Sequence, residues 1–346
     1  MTTNGLTIGR RQIGRYRLPF VIAEIGVNHD GDPDRAIELV YAAASAGVDA
    51  VKFQWFSVEQ LVGDDAAIAD YQRRTGVRSQ SALLSGLELD REAMARVVDA
   101  AHDRGVAAIV SVFSVDAIPD AASLPWDAWK TASPDIVHRP LLERLAGDGR
   151  PIIVSTGGAE LSEVVRARDW LRSSAAGFLH CVSAYPTPVG RANLGAIDAI
   201  AEATDRPVGY SDHTTELSMG GLAVAAGASI LEKHLTWSRT AAGPDHAASL
   251  EPAGMAAYVE FVREAHAALG SGAKARADIE VDVMNAARQS IRVAKPLAAG
   301  SRIERTDLVF KRPGDGLEPW RTDEVVGRIL DRELDADDVV RLEDLR

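Results

Sequence analysis

The sequence predicts an α/β chain in which a (β/α)8 barrel is followed by a small β-rich module. From residue 20 onward, short apolar runs alternate with amphipathic segments of helix length. Eight such units fit into about 250 residues, the usual size of a closed barrel of this kind. Near residue 287 the pattern changes to short β-like runs broken by Pro and Gly.

The eight strands are predicted from apolar runs that are rich in β-branched and aromatic residues and bounded by turn residues. An open doubly wound sheet is the alternative, but no GxGxxG motif follows the first run, as a dinucleotide-binding sheet of that kind would have. The predicted strands are 20–26, 50–55, 106–113, 128–133, 151–157, 177–183, 207–213 and 229–235.

Helices are predicted between the strands, where apolar residues recur at three- and four-residue spacing. The clearest are 32–47, 90–105, 161–174, 193–204 and 253–272. The last of them ends in glycines, and a polar stretch follows it. We therefore expect a barrel over residues 1–275, a linker over 276–286 and a small module over 287–346.

One connection is unusually long for a compact barrel. It covers residues 56–90, after the second predicted strand. Long loops in compact domains are usually functional. We therefore expect this segment to form a lid or a wall of a substrate site.

Composition and charge exclude several classes of partner. The chain has 346 residues and a formal net charge of -12, which argues against nucleic acid and anionic membranes as partners. It has no apolar run of transmembrane length and no signal-peptide pattern at residues 1–20, so we expect a soluble cytoplasmic protein. The single cysteine, Cys181, lies in an apolar run and is predicted to be a core residue.

Polar residues recur near the C-terminal end of every predicted strand, on the face that alternation assigns to the barrel interior. Polar side chains inside apolar strands are costly to bury without partners. Since the active site of such a barrel forms at this end, a shared polar site explains them best. The residues are Glu24, Lys52, Ser111, Lys130, Ser155, Ser183, Ser211, His213, Glu232 and His234.

These residue types indicate a particular chemistry. Lys52 and Lys130, with nearby serine hydroxyls, suit a ligand that carries a phosphate and a carboxylate. His213 and His234 end two adjacent predicted strands and could hold Mn²⁺ or a similar divalent ion.

Two carboxylates and two outward-facing residues complete this prediction. Glu24 and Glu232 are candidates for orienting a water or moving a proton. Asp212 and Lys233 have the opposite parity, so they are expected either behind the site or where the strand ends twist.

Four segments of the sequence resemble the sialic acid synthase family. They are IAEIGVNHDGD (22–32), AGVDAVKFQ (46–54), GYSDHT (209–214) and the stretch from EKHLT to GPDHAASLEP (232–252). Members of that family condense phosphoenolpyruvate (PEP) with an N-acylated hexosamine to give a 2-keto sugar acid. The C-terminal module is similar to their antifreeze-like (SAF) domain. The resemblance extends over nearly the whole chain.

The resemblance implies a role for individual residues. It implies a divalent metal cofactor, with Mn²⁺ expected first and Mg²⁺ or Co²⁺ as alternatives. It also implies a domain-swapped homodimer in which Arg288 reaches the sugar in the partner's barrel. The residues expected to bind PEP are Lys52, Ser111, Lys130, Ser133, Ser155 and Ser211. The metal is expected at His213 and His234, and the residues expected to act in catalysis are these two histidines, Glu24 and Glu232. The residues expected to contact the sugar are Gln54, Asp135, Ser183, Tyr185, Asp245 and Arg288.

The chain departs from the family pattern at four places, all on the sugar side. Ser183 stands where asparagine is common, and Pro134-Asp135 replaces a common Gly-Glu. Arg74 lies where the lid often has asparagine, and Gln289 replaces one of a frequent arginine pair. The PEP and metal positions are intact, so the resemblance implies retained chemistry. It leaves open an acceptor such as N-acetylmannosamine, a diacetamido-trideoxyhexose or a less usual aldehyde.

Two other functions remain to be separated from this one. Another PEP-condensing barrel would take a phosphorylated aldose, but the antifreeze-like module and the two-histidine pattern argue against it. A homologue that binds sugar without turnover is disfavoured because Glu24, Lys52, His213 and His234 are all present.

Overall fold

Two compact units, Met1–Ser271 and Gly272–Arg346, make up the chain in the computed structural model. The structure describes residues 5–63 and 79–346. The segment 276–286, predicted as a linker, overlaps a helix of the second unit.

An antiparallel hairpin, which the sequence patterns do not predict, opens the first unit. Leu6 and Ile8 are almost fully buried against residues at the starts of the barrel strands, such as Phe20 and Ile230. The hairpin therefore closes the N-terminal end of the barrel with apolar side chains. Its strands are β1 (Leu6–Ile8) and β2 (Arg11–Ile13).

Eight parallel strands close into a barrel in sequence order, which confirms the predicted fold class. The last strand pairs with the first, with Ile230 opposite Phe20. The strands are β3 (Phe20–Gly26), β4 (Ala50–Trp55), β5 (Ala107–Val112), β6 (Ala128–Thr131), β7 (Ile152–Ser155), β8 (Ala176–Cys181), β9 (Val208–Asp212) and β10 (Ile230–His234).

The first barrel strand shows how the sequence alternation positions the site. Val21 and Ile25 face outward into the core between sheet and helices, whereas Phe20 and Ile22 join the inner core beneath the hairpin. Glu24 continues the inward series toward the C-terminal end, where the inner core stops. The polar inward positions are therefore confined to the barrel end away from the hairpin.

Ten helices of the described residues accompany these strands in the first unit. Helix α1 illustrates a helix start, since the Asp32 carboxylate caps its first turn and Pro33 follows. None of the described helices combines the length and apolarity that a membrane span requires. The helices are α1 (Pro33–Ser45), α2 (Val58–Leu61), α3 (Gln80–Leu84), α4 (Arg91–Asp103), α5 (Ile118–Ala122), α6 (Arg139–Ala146), α7 (Leu161–Trp170), α8 (Ala196–Thr204), α9 (Ser218–Ala225) and α10 (Pro252–Leu269).

Helix α9 packs closely on α10 because glycines occupy its contact face. A Cβ atom on Gly220 would come within 2.5 Å of the Tyr258 ring, and one on Gly221 would overlap Phe261. Tyr258 consequently lies fully buried beneath the ends of β9 and β10.

The second unit has a small apolar core of its own. Its described elements are α11 (Val281–Ala287), β11 (Ser290–Val293), β12 (Leu308–Lys311) and α12 (Thr322–Val325). Strands β11 and β12 pair antiparallel. Ile291, Val293 and Leu330 are among the residues that they and the following turns bury.

Candidate active site

At the C-terminal ends of β3 and β4, two buried residues of opposite charge meet. Lys52 Nζ lies 2.8 Å from Glu24 Oε2 and donates to Ser111 Oγ at 3.2 Å. The other Glu24 oxygen accepts from Gln54 Nε2 at 2.8 Å. Burial raises the pKa of Glu24; Lys52 opposes this effect and the charge of Glu232 reinforces it. Glu24 is thus held in a fixed orientation and is more basic than an exposed carboxylate.

A second buried lysine, Lys130, faces the first across Glu232. Lys130 Nζ donates to the Thr131 carbonyl at 2.7 Å and to Ser155 Oγ at 2.5 Å. Glu232 oxygens lie 3.8 Å from Lys52 Nζ and 3.9 Å from Lys130 Nζ. Burial would raise the pKa of Glu232, but the two ammonium groups outweigh it and lower that pKa. The ammonium groups of Lys52 and Lys130 and the hydroxyls of Ser111 and Ser155 are thus the donors in this cluster that could contact an anionic ligand.

The imidazoles of His213 and His234 lie side by side, with ring centroids 5.7 Å apart. His213 Nδ1 donates to the Val182 carbonyl at 2.7 Å, so its Nε2, 3.2 Å from Ser211 Oγ, carries the lone pair. Burial lowers the pKa of His213 to about 4 and that of His234 well below its ordinary value. Both rings are therefore neutral near pH 7.

This pair fits a divalent cation. Neutral imidazole is the form that binds metal, and His234 Nδ1 is buried with no hydrogen-bond partner among the described residues. Within residues 5–63 and 79–346, no group of three His, Cys, Asp or Glu side chains could hold an ion. A cation at the two histidines would have only these two protein ligands of those types, and its other positions would be filled by water or substrate oxygens.

Tyr185 and Asp245 line the histidine side of the cluster. The Tyr185 ring lies 4.2 Å from the His213 ring and 6.0 Å from the His234 ring, measured between centroids. Asp245 Oδ2 lies 3.7 Å from His234 Nδ1, and burial raises the pKa of Asp245 to about 7. Both residues predicted to contact sugar on this side are thus adjacent to the imidazoles.

Ser133 and Ser183 meet at a glycine beside the lysines. Ser133 Oγ accepts from Gly157 N at 3.1 Å and lies 3.2 Å from Cys181 Sγ. A Cβ atom on Gly157 would lie 2.8 Å from Ser133 Oγ and would overlap Ser183 Oγ. Cys181 is buried, as predicted. Its contact with Ser133 could not be predicted from the apolar run in which it lies.

Asp135, Arg288 and Arg74 are further positions predicted from the sequence to lie on the sugar side. Asp135 Oδ2 is buried without a hydrogen-bond partner in the described structure, and burial raises the pKa of Asp135 to about 6. Arg288 is an exposed residue of the second unit, and its role in a partner subunit stays a prediction. Arg74 and much of the predicted lid (56–90) lie outside the described residues.

A cavity of about 510 Å³ lies at the opposite end of the barrel, between the hairpin and the start of β9. It is lined by residues such as Arg15 and Arg206 and by none of the predicted site residues. The lysines, carboxylates and imidazoles that could perform chemistry are at the other end.

Comparison with known proteins agrees with this arrangement. The NeuB family matches residues 39–274, and the SAF domain matches residues 288–346. The N,N'-diacetyllegionaminic acid synthase of Legionella pneumophila is 37% identical over 345 residues, covering 97% of each chain. The enzyme of the same name from Campylobacter jejuni is 34% identical, covering 93% of this chain and 98% of its own.

A solved structure gives the same result. The N-acetylneuraminic acid (sialic acid) synthetase of Leptospira borgpetersenii serovar Hardjo-bovis superposes with a TM-score of 0.74 at 31% identity, covering 81% of this chain and 95% of its own. The NeuB match spans most of the barrel and the SAF match most of the second unit. The chain therefore belongs to the NeuB family and carries a C-terminal SAF domain.

Proposed function

We propose that this enzyme condenses PEP with an N-acylated hexosamine or related aldose, giving a 2-keto sugar acid and phosphate. One observation carries the proposal: the buried ammonium groups of Lys52 and Lys130 flank Glu232 at 3.8 and 3.9 Å, in the same barrel mouth as two neutral imidazoles. PEP presents a phosphate and a carboxylate, for which ammonium and hydroxyl donors are suited.

For the acceptor we favour a diacetamido-trideoxyhexose. The two relatives compared above at 37% and 34% identity are both named N,N'-diacetyllegionaminic acid synthases. The departures at Ser183 and Pro134-Asp135 lie on the sugar side, which supports an acceptor other than N-acetylmannosamine.

The lysines bind the donor and stabilise the leaving group. Lys52 and Lys130, with the hydroxyls of Ser111 and Ser155, hold the phosphate and carboxylate of PEP in a fixed orientation. As the phosphate departs its negative charge grows, and these preorganised cations stabilise that charge. Their burial strengthens the effect because water is excluded.

Glu24 accepts a proton from the attacking water. C3 of PEP forms a bond to the aldehyde carbon, water oxygen adds to C2, and the C2–O bond breaks to release phosphate. A divalent cation held by His213 and His234 would supply polarisation of the aldehyde oxygen. Glu24, oriented by Lys52 and Gln54, accepts one proton from the water, and the aldehyde oxygen takes up one as it becomes a hydroxyl. The second proton of the water leaves with the phosphate as C2 becomes the keto carbon, so the proton count closes.

The cofactor, the assembly and the location belong to the same proposal. Mn²⁺ is the proposed ion, with Mg²⁺ or Co²⁺ as substitutes. The active assembly is a cytoplasmic homodimer in which Arg288 reaches the partner's sugar site and Tyr185 and Asp245 contact the sugar from within the barrel.

Phosphate release from PEP tests the proposal. The purified protein is incubated with PEP and each of a panel of aldoses, with Mn²⁺ and with EDTA. We expect Mn²⁺-dependent release that requires a diacetamido aldose and is abolished by EDTA. Release only with a phosphorylated aldose would indicate the other class of condensing barrel. Binding of PEP and sugar without release would indicate a non-catalytic homologue.

A further inference from the structure

A fully buried ion pair lies directly behind the two histidines. Asp212 and Lys233 face each other in the register of β9 and β10, with Asp212 Oδ2 3.0 Å from Lys233 Nζ. Both side chains are 0% exposed. Each residue immediately precedes a histidine in the chain, His213 directly after β9 and His234 at the end of β10, so the pair joins the two backbones that carry the imidazoles.

The remaining bonds of the pair attach it to the same loop. Asp212 Oδ1 accepts from Thr214 N at 2.9 Å and from Thr214 Oγ1 at 2.7 Å. Lys233 Nζ donates to the Thr214 carbonyl at 2.5 Å and lies 5.6 Å from the Tyr258 ring centroid. Asp212 and Thr214, which flank His213, are therefore both bonded to Lys233, which precedes His234.

The histidines depend on their backbones for position. The His234 ring has no hydrogen bond at Nδ1 among the described residues, so its placement follows from the end of β10. Its carbonyl accepts from Leu250 N at 2.8 Å. The His213 ring is held by the Val182 carbonyl at Nδ1 and by Ser211 Oγ at Nε2, and both partners lie on or just after neighbouring strands, β8 and β9. A shift of either strand end would therefore change the separation of the rings.

Stability alone is a weak reason for such a pair. Moving two charges into an apolar interior is costly, and replacing a buried ion pair by apolar residues is often neutral or stabilising. What the pair supplies that apolar packing does not is a directional link between two particular strand ends. Partners behind metal-binding histidines commonly set the orientation of the rings and the metal affinity.

We propose that the Asp212–Lys233 ion pair is a positioning element that sets the separation of the His213 and His234 rings. This inference deepens the proposed function and rests on it, because it concerns the same two imidazoles. Neither Asp212 nor Lys233 contacts substrate in this scheme. They act through the histidines.

The test uses three variants of the full chain: Asp212→Asn, Lys233→Met and the double substitution Asp212→Asn/Lys233→Met. The double variant removes both charges together, which avoids an isolated buried ion. Asp49→Asn is the matched control, since Asp49 is a partly buried carboxylate 2.6 Å from Arg11 at the hairpin end of the barrel. The measurements are the melting temperature, Mn²⁺ titration of the metal-free protein by calorimetry, kcat and KM for PEP, and a crystal structure of the double variant.

We expect the double variant to fold, to bind Mn²⁺ about 10-fold or more weakly, and to lose kcat while KM for PEP changes less than about two-fold. Its crystal structure should show altered ring separation. The control should leave Mn²⁺ affinity unchanged. A double variant with unaltered ring separation, Mn²⁺ affinity and kcat would overturn the proposal. Failure of all three variants to fold would also overturn it, because the pair would then be required for the fold itself.

Failure of the proposed function gives a different pattern. If the unsubstituted protein releases no phosphate from PEP with any acceptor, the synthase assignment is wrong. Mn²⁺ affinity and ring separation in the double variant still decide the positioning role. If the unsubstituted protein also binds no Mn²⁺, the crystal structure decides it alone.

Discussion

Glu24 Oε2 and Lys52 Nζ lie 2.8 Å apart, and both side chains are buried where β3 and β4 pair. The two residues are direct neighbours in the barrel register. This contact links the proposed proton acceptor to the proposed anion-binding group. A substitution at either one therefore changes the charge and orientation of the other.

Replacing Lys52 by alanine should reduce kcat/KM for PEP about 100-fold or more, because one preorganised cation of the donor site is lost. The fold should persist, since the burial that already raises the pKa of Glu24 lets that carboxyl take up a proton once the ammonium is gone. Phosphate release and circular dichroism melting measure the two effects. Lys274→Ala, at an exposed lysine, is the control. Ordinary turnover in Lys52→Ala would exclude Lys52 from the donor site.

Gly157→Ala should damage the site while leaving the barrel folded. The added methyl would lie 2.8 Å from Ser133 Oγ and overlap Ser183 Oγ, so both hydroxyls must move. Such overpacking typically costs about 1–3 kcal/mol. We expect KM for PEP to rise about 10-fold in steady-state assays.

Gly190→Ala provides the comparison for Gly157→Ala. A methyl group at Gly190 would meet no atom within 4 Å. The control should therefore keep both stability and KM for PEP. If Gly157→Ala also keeps its KM, Ser133 does not belong to the donor site.

The strands could be predicted from the sequence because inward and outward positions alternate in type. In β3, for example, Glu24 interrupts an apolar inward series at the C-terminal end, and this pattern recurs around the barrel. The same alternation indicated that Asp212 and Lys233 face outward. It could not show that they pair with each other, since pairing requires the register of β9 against β10.

Other features left no periodic signal. The hairpin strands are three residues each, too short for alternation to be recognised. The contact between Ser133 and Cys181 joins residues 48 positions apart, which no local pattern encodes. Asp135 was expected at the sugar, but its buried, unpartnered oxygen is a consequence of packing that only the structure contains.

Leu6→Ala should destabilise the barrel without impairing the site. Leu6 is 0% exposed in the inner core under the hairpin, and truncating such a leucine costs about 2–5 kcal/mol. We expect a lower denaturant midpoint with KM for PEP unchanged below the transition. Leu18→Ala, at a leucine that is 41% exposed, should change the midpoint little. An unaltered midpoint in Leu6→Ala would mean that the hairpin does not stabilise the barrel.

Asp135→Asn should stabilise the protein at alkaline pH and at the same time reduce its activity. Burial raises the pKa of Asp135 from 3.8 to about 6, so the folded state binds this proton more tightly than the unfolded state. For this group the free energy of unfolding therefore rises as the pH falls from above 6 toward 4. Above about pH 7 the ionised carboxylate costs the fold roughly 1–3 kcal/mol.

The asparagine removes that cost, so its melting temperature should exceed that of the unsubstituted protein at pH 8 and match it near pH 4. Asp99→Asn, at an exposed helix position, controls for a general effect of removing a surface charge. Because the carboxylate is proposed to contact the acceptor, KM for the aldose should rise while KM for PEP stays constant. A gain in stability that is equal at both pH values would show that ionisation of Asp135 is not its source.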